Sequence, residues 1–177
     1  MGDFVAQAST LGEMKRAGVV TVRPRTPADD ERIVALARPS FGKYSQAPEQ
    51  GVWAMMQGRS AHTVVAETAG RLVGFAIVSF EALAKPFGPW TRPVLASLDA
   101  IAVHEAAQGG GVGGALLAAV EREARAREAV SINLRTATTN TRAQALFRRA
   151  GFQKAVQLQG FYRGGQSAFA MTKLLAT

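Results

Sequence analysis

Residues 108–114 read Gln-Gly-Gly-Gly-Val-Gly-Gly, so five of the six positions from Gly109 to Gly114 carry no side chain. Without Cβ atoms a backbone reaches left-handed conformations closed to other residues, and another molecule can approach its amides closely. Leu116, Leu117, Val120 and Ala124 follow at spacings that share one helical face. The spacing predicts a helix from about Val112 to Arg127. Its first turn has unpaired N–H donors and the positive end of the helix dipole. Loop and helix start together make an anion site, and pyrophosphate is the most economical anion for it.

Three motif types compete for such a loop. The P-loop needs Gly-Lys followed by Ser or Thr, and no lysine follows these glycines, which excludes it. The dinucleotide fingerprint G-x-G-x-x-G is matched by Gly109, Gly111 and Gly114, but in the wrong setting. That fingerprint starts directly after a strand and needs an acid at the end of the next one. Here His104–Gln108 intervene, and the next strand, Val130–Thr136, ends without an acid. The third pattern, Q/R-x-x-G-x-G/A, is matched by Gln108, Gly111 and Gly113.

The rest of the chain alternates strand and helix patterns. Strands are expected at Val19–Arg25, Thr63–Glu67, Leu72–Phe80, Leu95–Val103, Val130–Thr136, Gln153–Gln159 and Ala168–Leu174. A helix opens at Thr26-Pro27, with Asp29, Asp30 and Glu31 in its first turn, and stops before Pro39. A short one covers Glu49–Gln57 with Val52, Trp53 and Met56 inward. Another spans Arg142–Ala150, capped by Gly151. The proline-rich stretch Lys85–Pro93 is a loop and a candidate substrate lid. This order gives an α/β fold, an α+β mixed sheet with hairpins at both ends. Residues 19–177 form one domain behind an N-terminal extension over residues 1–18.

Composition excludes several chemistries. The chain has no cysteine, so disulfides, thiolate nucleophiles and cysteine zinc sites are out. His62 and His104 are isolated from paired acids, and no metal is expected. The net charge of +8 suits an anionic cofactor or partner. No block of like charge marks a nucleic-acid tail, so nucleic acid is not the expected partner. No apolar run reaches the roughly 18 residues of a membrane span. Asp3 and Glu13 argue against a secretory signal, and a cytoplasmic protein is expected, as a monomer or homodimer.

A second motif agrees with the first. Asn140, Ala143, Leu146, Phe147, Gly151 and Phe152 match N-x-x-A-x-x-L-(Y/F)-x-x-x-G-F after a strand. Ile101-Ala102-Val103, then His104–Ala107, lead into Gln108. With both motifs in order, the chain resembles the GNAT superfamily of N-acetyltransferases from about Val19 to Leu174. The ending, Phe161 to Gly165 and then Met171 and Leu174, looks like its ribosomal-protein and small-molecule branches.

The resemblance implies a GNAT-like domain with a central twisted mixed sheet, two splayed parallel strands and flanking helices. It implies acetyl-CoA as cosubstrate and an amine as acceptor. The backbone at Ile101, Ala102 and Val103 would pair with the pantetheine arm. Gln108, Gly109, Gly110, Gly111, Val112, Gly113 and Gly114 would hold the pyrophosphate. Asn140 and Ala143 would lie near the pantetheine and Phe147 beside the thioester. Asp99 is the candidate base: it lies four residues before Val103, so a two-residue repeat puts both on one face. Glu81 is the second candidate. Many relatives have tyrosine at the place of Phe147, which cannot donate a proton. Either Tyr162 or Tyr44 is then the candidate acid, with Tyr162 preferred, or solvent protonates the thiolate. A CoA-binding sensor with little catalysis is the alternative, and Phe147 is its support.

Overall fold

The computed structural model describes residues 18–86 and 88–175. The extension expected over residues 1–18 lies outside them except for its last position. Seven strands form one mixed sheet: β1 (Thr21–Pro24), β2 (Ala61–Thr68), β3 (Arg71–Ala82), β4 (Val94–Val103), β5 (Ala129–Ala137), β6 (Gln153–Leu158) and β7 (Ala168–Leu174). Their order is β1-β2-β3-β4-β5-β7-β6. Four helices among the described residues cover its faces: α1 (Asp30–Phe41), α2 (Pro48–Met56), α3 (Val112–Ala126) and α4 (Thr141–Arg149). Neighbouring strands are antiparallel except β4 and β5, which are parallel. Parallel neighbours need a crossover, and α3 supplies it.

Two cores sit on opposite faces of the sheet. Val64, Ala76 and Val78 pack with Leu116, Leu117 and Val120 of α3. Val65, Phe75 and Ile77 pack with Ile33 and Leu36 of α1 and with Val52 and Met56 of α2. Because both faces are covered, Val73–Val78 of β3 are all buried and read as a continuous run.

The first helix is anchored by charge. Pro27–Asp29 forms a 3₁₀ turn ahead of α1. Thr26 N–H donates to Asp29 Oδ2 at 2.7 Å. Arg23 grips the same carboxylate at 2.7 and 2.8 Å and reaches Glu67 of β2 at 2.6 Å. Arg23, helped by Thr26, holds the Asp29 carboxyl well below the usual carboxylate range.

Two expectations need correction here. The helix does not stop before Pro39 but continues to Phe41 with the proline inside. Proline frees the carbonyl of Ala35, four residues back; both residues are exposed, so water can take that bond. Trp53 does not face inward: it is 46% exposed, because the narrow buried stripe of a short helix is filled by Val52 and Met56. The end of α4 follows the expectation. Gly151 stands at φ 92°, Phe152 N–H bonds to Phe147 O at 3.0 Å, and the two phenyl rings meet edge-on at 5.9 Å.

Candidate active site

β4 and β5 pair from Val94↔Ala129 to Leu98↔Leu134. Beyond that point β4 runs on to Val103 and β5 to Ala137 without pairing. At the closed end Asn133 of β5 acts as a clasp to both neighbouring strands: its Nδ2 donates to Ala96 O of β4 at 3.5 Å and its Oδ1 accepts from Thr172 of β7 at 2.9 Å. Past the clasp the strands part around a cleft of about 270 Å³. The cleft passes through the sheet. Phe41, Tyr44 and Met55 line it from the layer of α1 and α2, and Asn140, Ala143 and Phe147 from α4.

The free edge of β4 has a definite polarity. His104 N–H donates to Val73 O on β3 at 2.7 Å. Alternate residues of a strand aim their backbone groups to opposite sides. Ala102 therefore serves β3, while Ile101 and Val103 face the gap. Gln108 Nε2 donates to Val103 O at 2.9 Å, which leaves Val103 N–H and both Ile101 groups without a strand partner. Ala102, grouped with them in the sequence, puts its side chain in the core under α1 and α2.

Asp99 corrects a premise of the sequence reading. Ile77 of β3 pairs with Ala100 and Val78 with Leu98, so Asp99 is an extra residue in a β-bulge. Leu98 packs in the core under α3, but Ala100 packs in the core under α1 and α2. The two-residue repeat therefore breaks at Asp99 and does not carry it onto the face of Val103. Asp99 instead lines the cleft. Burial raises its carboxyl above the ordinary carboxylate value, against the pull of Ser79 and of the Arg135 charge.

The glycine turn lies at the end of β4. Gly109 and Gly111 stand at φ 88° and 82°, in the left-handed region, with nothing within 4 Å of a built Cβ. Gln108 to Gly111 are all exposed. Gly111 is the N-cap of α3 and has no side chain to satisfy the first-turn amides of Val112, Gly113 and Gly114. Gly113 has a different reason to be glycine: its Cβ would stand 2.9 Å from Leu146 Cδ2. This close approach seats α3 against α4.

Asn140 caps α4, its Oδ1 accepting from Ala143 N–H at 3.1 Å. Phe147 is 3% exposed and forms cleft wall. Sequence reasoning missed Gln144, which is buried and donates from Nε2 to Ala137 O at 3.0 Å and Thr138 O at 2.9 Å. A polar residue between Ala143 and Leu146 was the available signal. Tyr162 and Tyr44 both line the cleft, their ring centroids 5.3 Å apart. Burial pushes the Tyr162 hydroxyl up, Tyr44 adds to this, and the Arg135 charge opposes it.

Two expected parts are not brought here. Glu81 pairs with Leu95, and the Lys85–Pro93 loop leads into Val94, at the closed end of the β4–β5 pair. Neither Glu81 nor any described residue of the loop lines the cleft, because the strands diverge at their other ends. No group of three His, Asp or Glu residues that could hold a metal occurs among the described residues. No helix there is long and apolar enough to cross a membrane.

The profile of the acetyltransferase (GNAT) family matches residues 31–152. No curated protein sequence matches the chain. Among solved structures, Ard1 from Thermoplasma volcanium is 25% identical with a TM-score of 0.73, covering 89% of this chain and 99% of that one. Ribosomal-protein-S18-alanine N-acetyltransferase from Escherichia coli is 22% identical at TM-score 0.72, covering 90% and 96%. Arabidopsis thaliana NAA60 in complex with acetyl-CoA is 18% identical at TM-score 0.77, covering 89% and 99%.

Proposed function

The chain belongs to the acetyltransferase (GNAT) family, and from that premise we propose that its cleft joins the acetyl group of acetyl-CoA to a primary amine by direct attack on the thioester. One domain over residues 19–177 carries the reaction. The observation that supports this most is the parting of β4 and β5 beyond Leu98 and Leu134, with an exposed glycine turn at the end of β4.

Acetyl-CoA supplies the activated carbonyl. The amides of Val112, Gly113 and Gly114, at the positive end of α3, grip the diphosphate, and the glycines of Gln108–Gly114 let it come close. Ile101 and Val103 offer the edge of β4 to the pantetheine amides, and Asn140 keeps its amide donors for the same arm. Phe147, beside Ala143, gives the thioester an apolar wall.

An alkylamine with a pKa of about 10.4 is almost wholly protonated at pH 7. The neutral fraction attacks the thioester carbon, and Asp99, directly or through water, takes the proton made acidic on nitrogen as the C–N bond forms. The free N–H of Val103 meets the negative charge growing on the carbonyl oxygen. As the C–S bond breaks, sulfur leaves as a thiolate. Tyr162, kept protonated by burial, gives it the proton that Phe147 cannot.

Gly111→Leu tests the placement. Its left-handed backbone costs the variant about 1–2 kcal/mol, but nothing in the protein opposes the new side chain. The far-UV circular dichroism is expected to stay native while acetyl-CoA affinity falls at least about a hundredfold, roughly 2.7 kcal/mol. Tight binding by this variant would place the diphosphate elsewhere. Because Phe147 lacks a hydroxyl, turnover is measured on an amine panel as well. Binding without turnover of any amine would favour a sensor.

A further inference from the structure

Gly51 is a glycine without an internal reason. It sits inside α2, where glycine is less stable than alanine. Several other glycines of this fold have a geometric reason. Gly109, Gly111 and Gly151 hold left-handed backbone, and Gly74 and Gly113 face atoms within 3.0 Å of a built Cβ. At Gly51 the backbone is helical and nothing lies within 4 Å of the missing side chain. That open space belongs to the cleft, which Gly51 lines.

The surroundings of Gly51 say what the space suits. Pro48, Gly51, Val52 and Met55 are the cleft-lining residues of α2, and their spacing makes one helical face. That face is apolar and flat at its centre. Phe41 and the Tyr44–Tyr162 ring pair line the same cleft. Among its described lining residues only Asp99 and Arg135 carry charge, and Arg135 sits 5.3 Å over the Phe161 ring. An acceptor with a second ammonium group would find one carboxylate to share between two charges. An acceptor with several acidic groups would find one arginine.

The carboxylate of Asp99 and the apolar face of α2 line the same space. The cleft is therefore polar where an amine would enter and apolar along α2.

We propose that the acceptor is a primary amine of single positive charge carrying a ring-sized apolar arm, and that Gly51 sets the size of arm admitted. This rests on the acetyltransferase reading. A free arylalkylamine and the first residue of a peptide offer the same chemistry, and the assay distinguishes them.

Acetylation of phenethylamine, propylamine, putrescine and a short peptide starting with phenylalanine is measured with the full chain and with Gly51→Ala and Gly51→Leu. The wild type is expected to favour a ring-bearing acceptor over propylamine and putrescine by at least about tenfold in kcat/KM. Whichever of phenethylamine and the peptide is used better identifies the source. Gly51→Leu is expected to lower the ratio of ring-bearing to propylamine kcat/KM at least about tenfold, mainly through KM, with Gly51→Ala between. Gly51→Ala should also melt no lower than the wild type, which separates lost room from lost fold. A preference for putrescine, or an unchanged ratio in Gly51→Leu, overturns the inference while leaving the transferase reading intact. No turnover of any amine overturns both.

Discussion

One extra residue in β4 decides where the carboxylate of the cleft stands. Asp99 is the bulge residue, and the bulge turns it toward Ser79 and the cleft rather than onto the face of Val103. Burial raises its folded pKa. A base must be deprotonated, so Asp99 loses function as pH falls through that raised value, earlier than an ordinary carboxylate would. With an alkylamine acceptor, log kcat/KM should rise with slope one while only the amine titrates and with slope two below the Asp99 pKa. Asp99→Asn should lower the rate about 10²-fold and keep slope one throughout. A slope of two surviving in the variant would remove Asp99 from the role. The proposed site was only partly legible at this scale. The types Asp99, Asn140 and Phe147 were readable from motif spacing. The face of Asp99 was not, since nothing in Leu-Asp-Ala announces a bulge that depends on how β3 pairs opposite it.

At the scale of elements, the site depends on the turn from β5 into α4. Two of its carbonyls, on Ala137 and Thr138, are held by Gln144 Nε2 from inside α4. The same turn carries Asn140, whose side chain starts the helix. Replacing Gln144 by leucine keeps bulk but removes both bonds: Thr138 O loses this donor, while Ala137 O keeps the N–H of Asn140. A loss of about 2 kcal/mol is expected, which for a domain of this size lowers the melting temperature by about 4–8 °C. Because Asn140 loosens with the turn, KM for acetyl-CoA should rise while kcat changes less. A variant that melts lower with unchanged KM would make Gln144 a purely structural residue. Helix boundaries were otherwise close to the sequence reading. The exceptions, Pro39 inside α1 and Trp53 facing solvent, both depend on how much water a helix face sees. Periodicity does not report that.

For the whole molecule, the parted strands leave a seam in the sheet. A ligand that bridges β4, α3 and α4 should couple them. Acetyl-CoA at a hundred times its Kd would stabilise the fold by about 2.7 kcal/mol. That corresponds to a rise in melting temperature of about 5–11 °C. Absence of a shift at such a concentration would mean that the seam does not take this ligand. The reach of Asn133 to Ala96 O and the parallel β4–β5 register fix where the seam begins. They also explain why the Lys85–Pro93 loop, placed by sequence order beside β4, lies at the wrong end to act as a lid.

The sequence by itself determined the local physics. Three glycines before an amphipathic helix and two in its first turn bare the backbone amides there, and the Asn140–Phe152 spacing makes a capped helix with one apolar face. These follow from Cβ sterics and short-range hydrogen bonding, which act between neighbours in the chain. Only the tertiary structure decided which backbone groups of β4 face a gap, which residue stands in the bulge, and why Gly51 has open space above it. Each of these depends on strands and helices far apart in sequence, and pairing across such distances leaves no periodic mark on either partner.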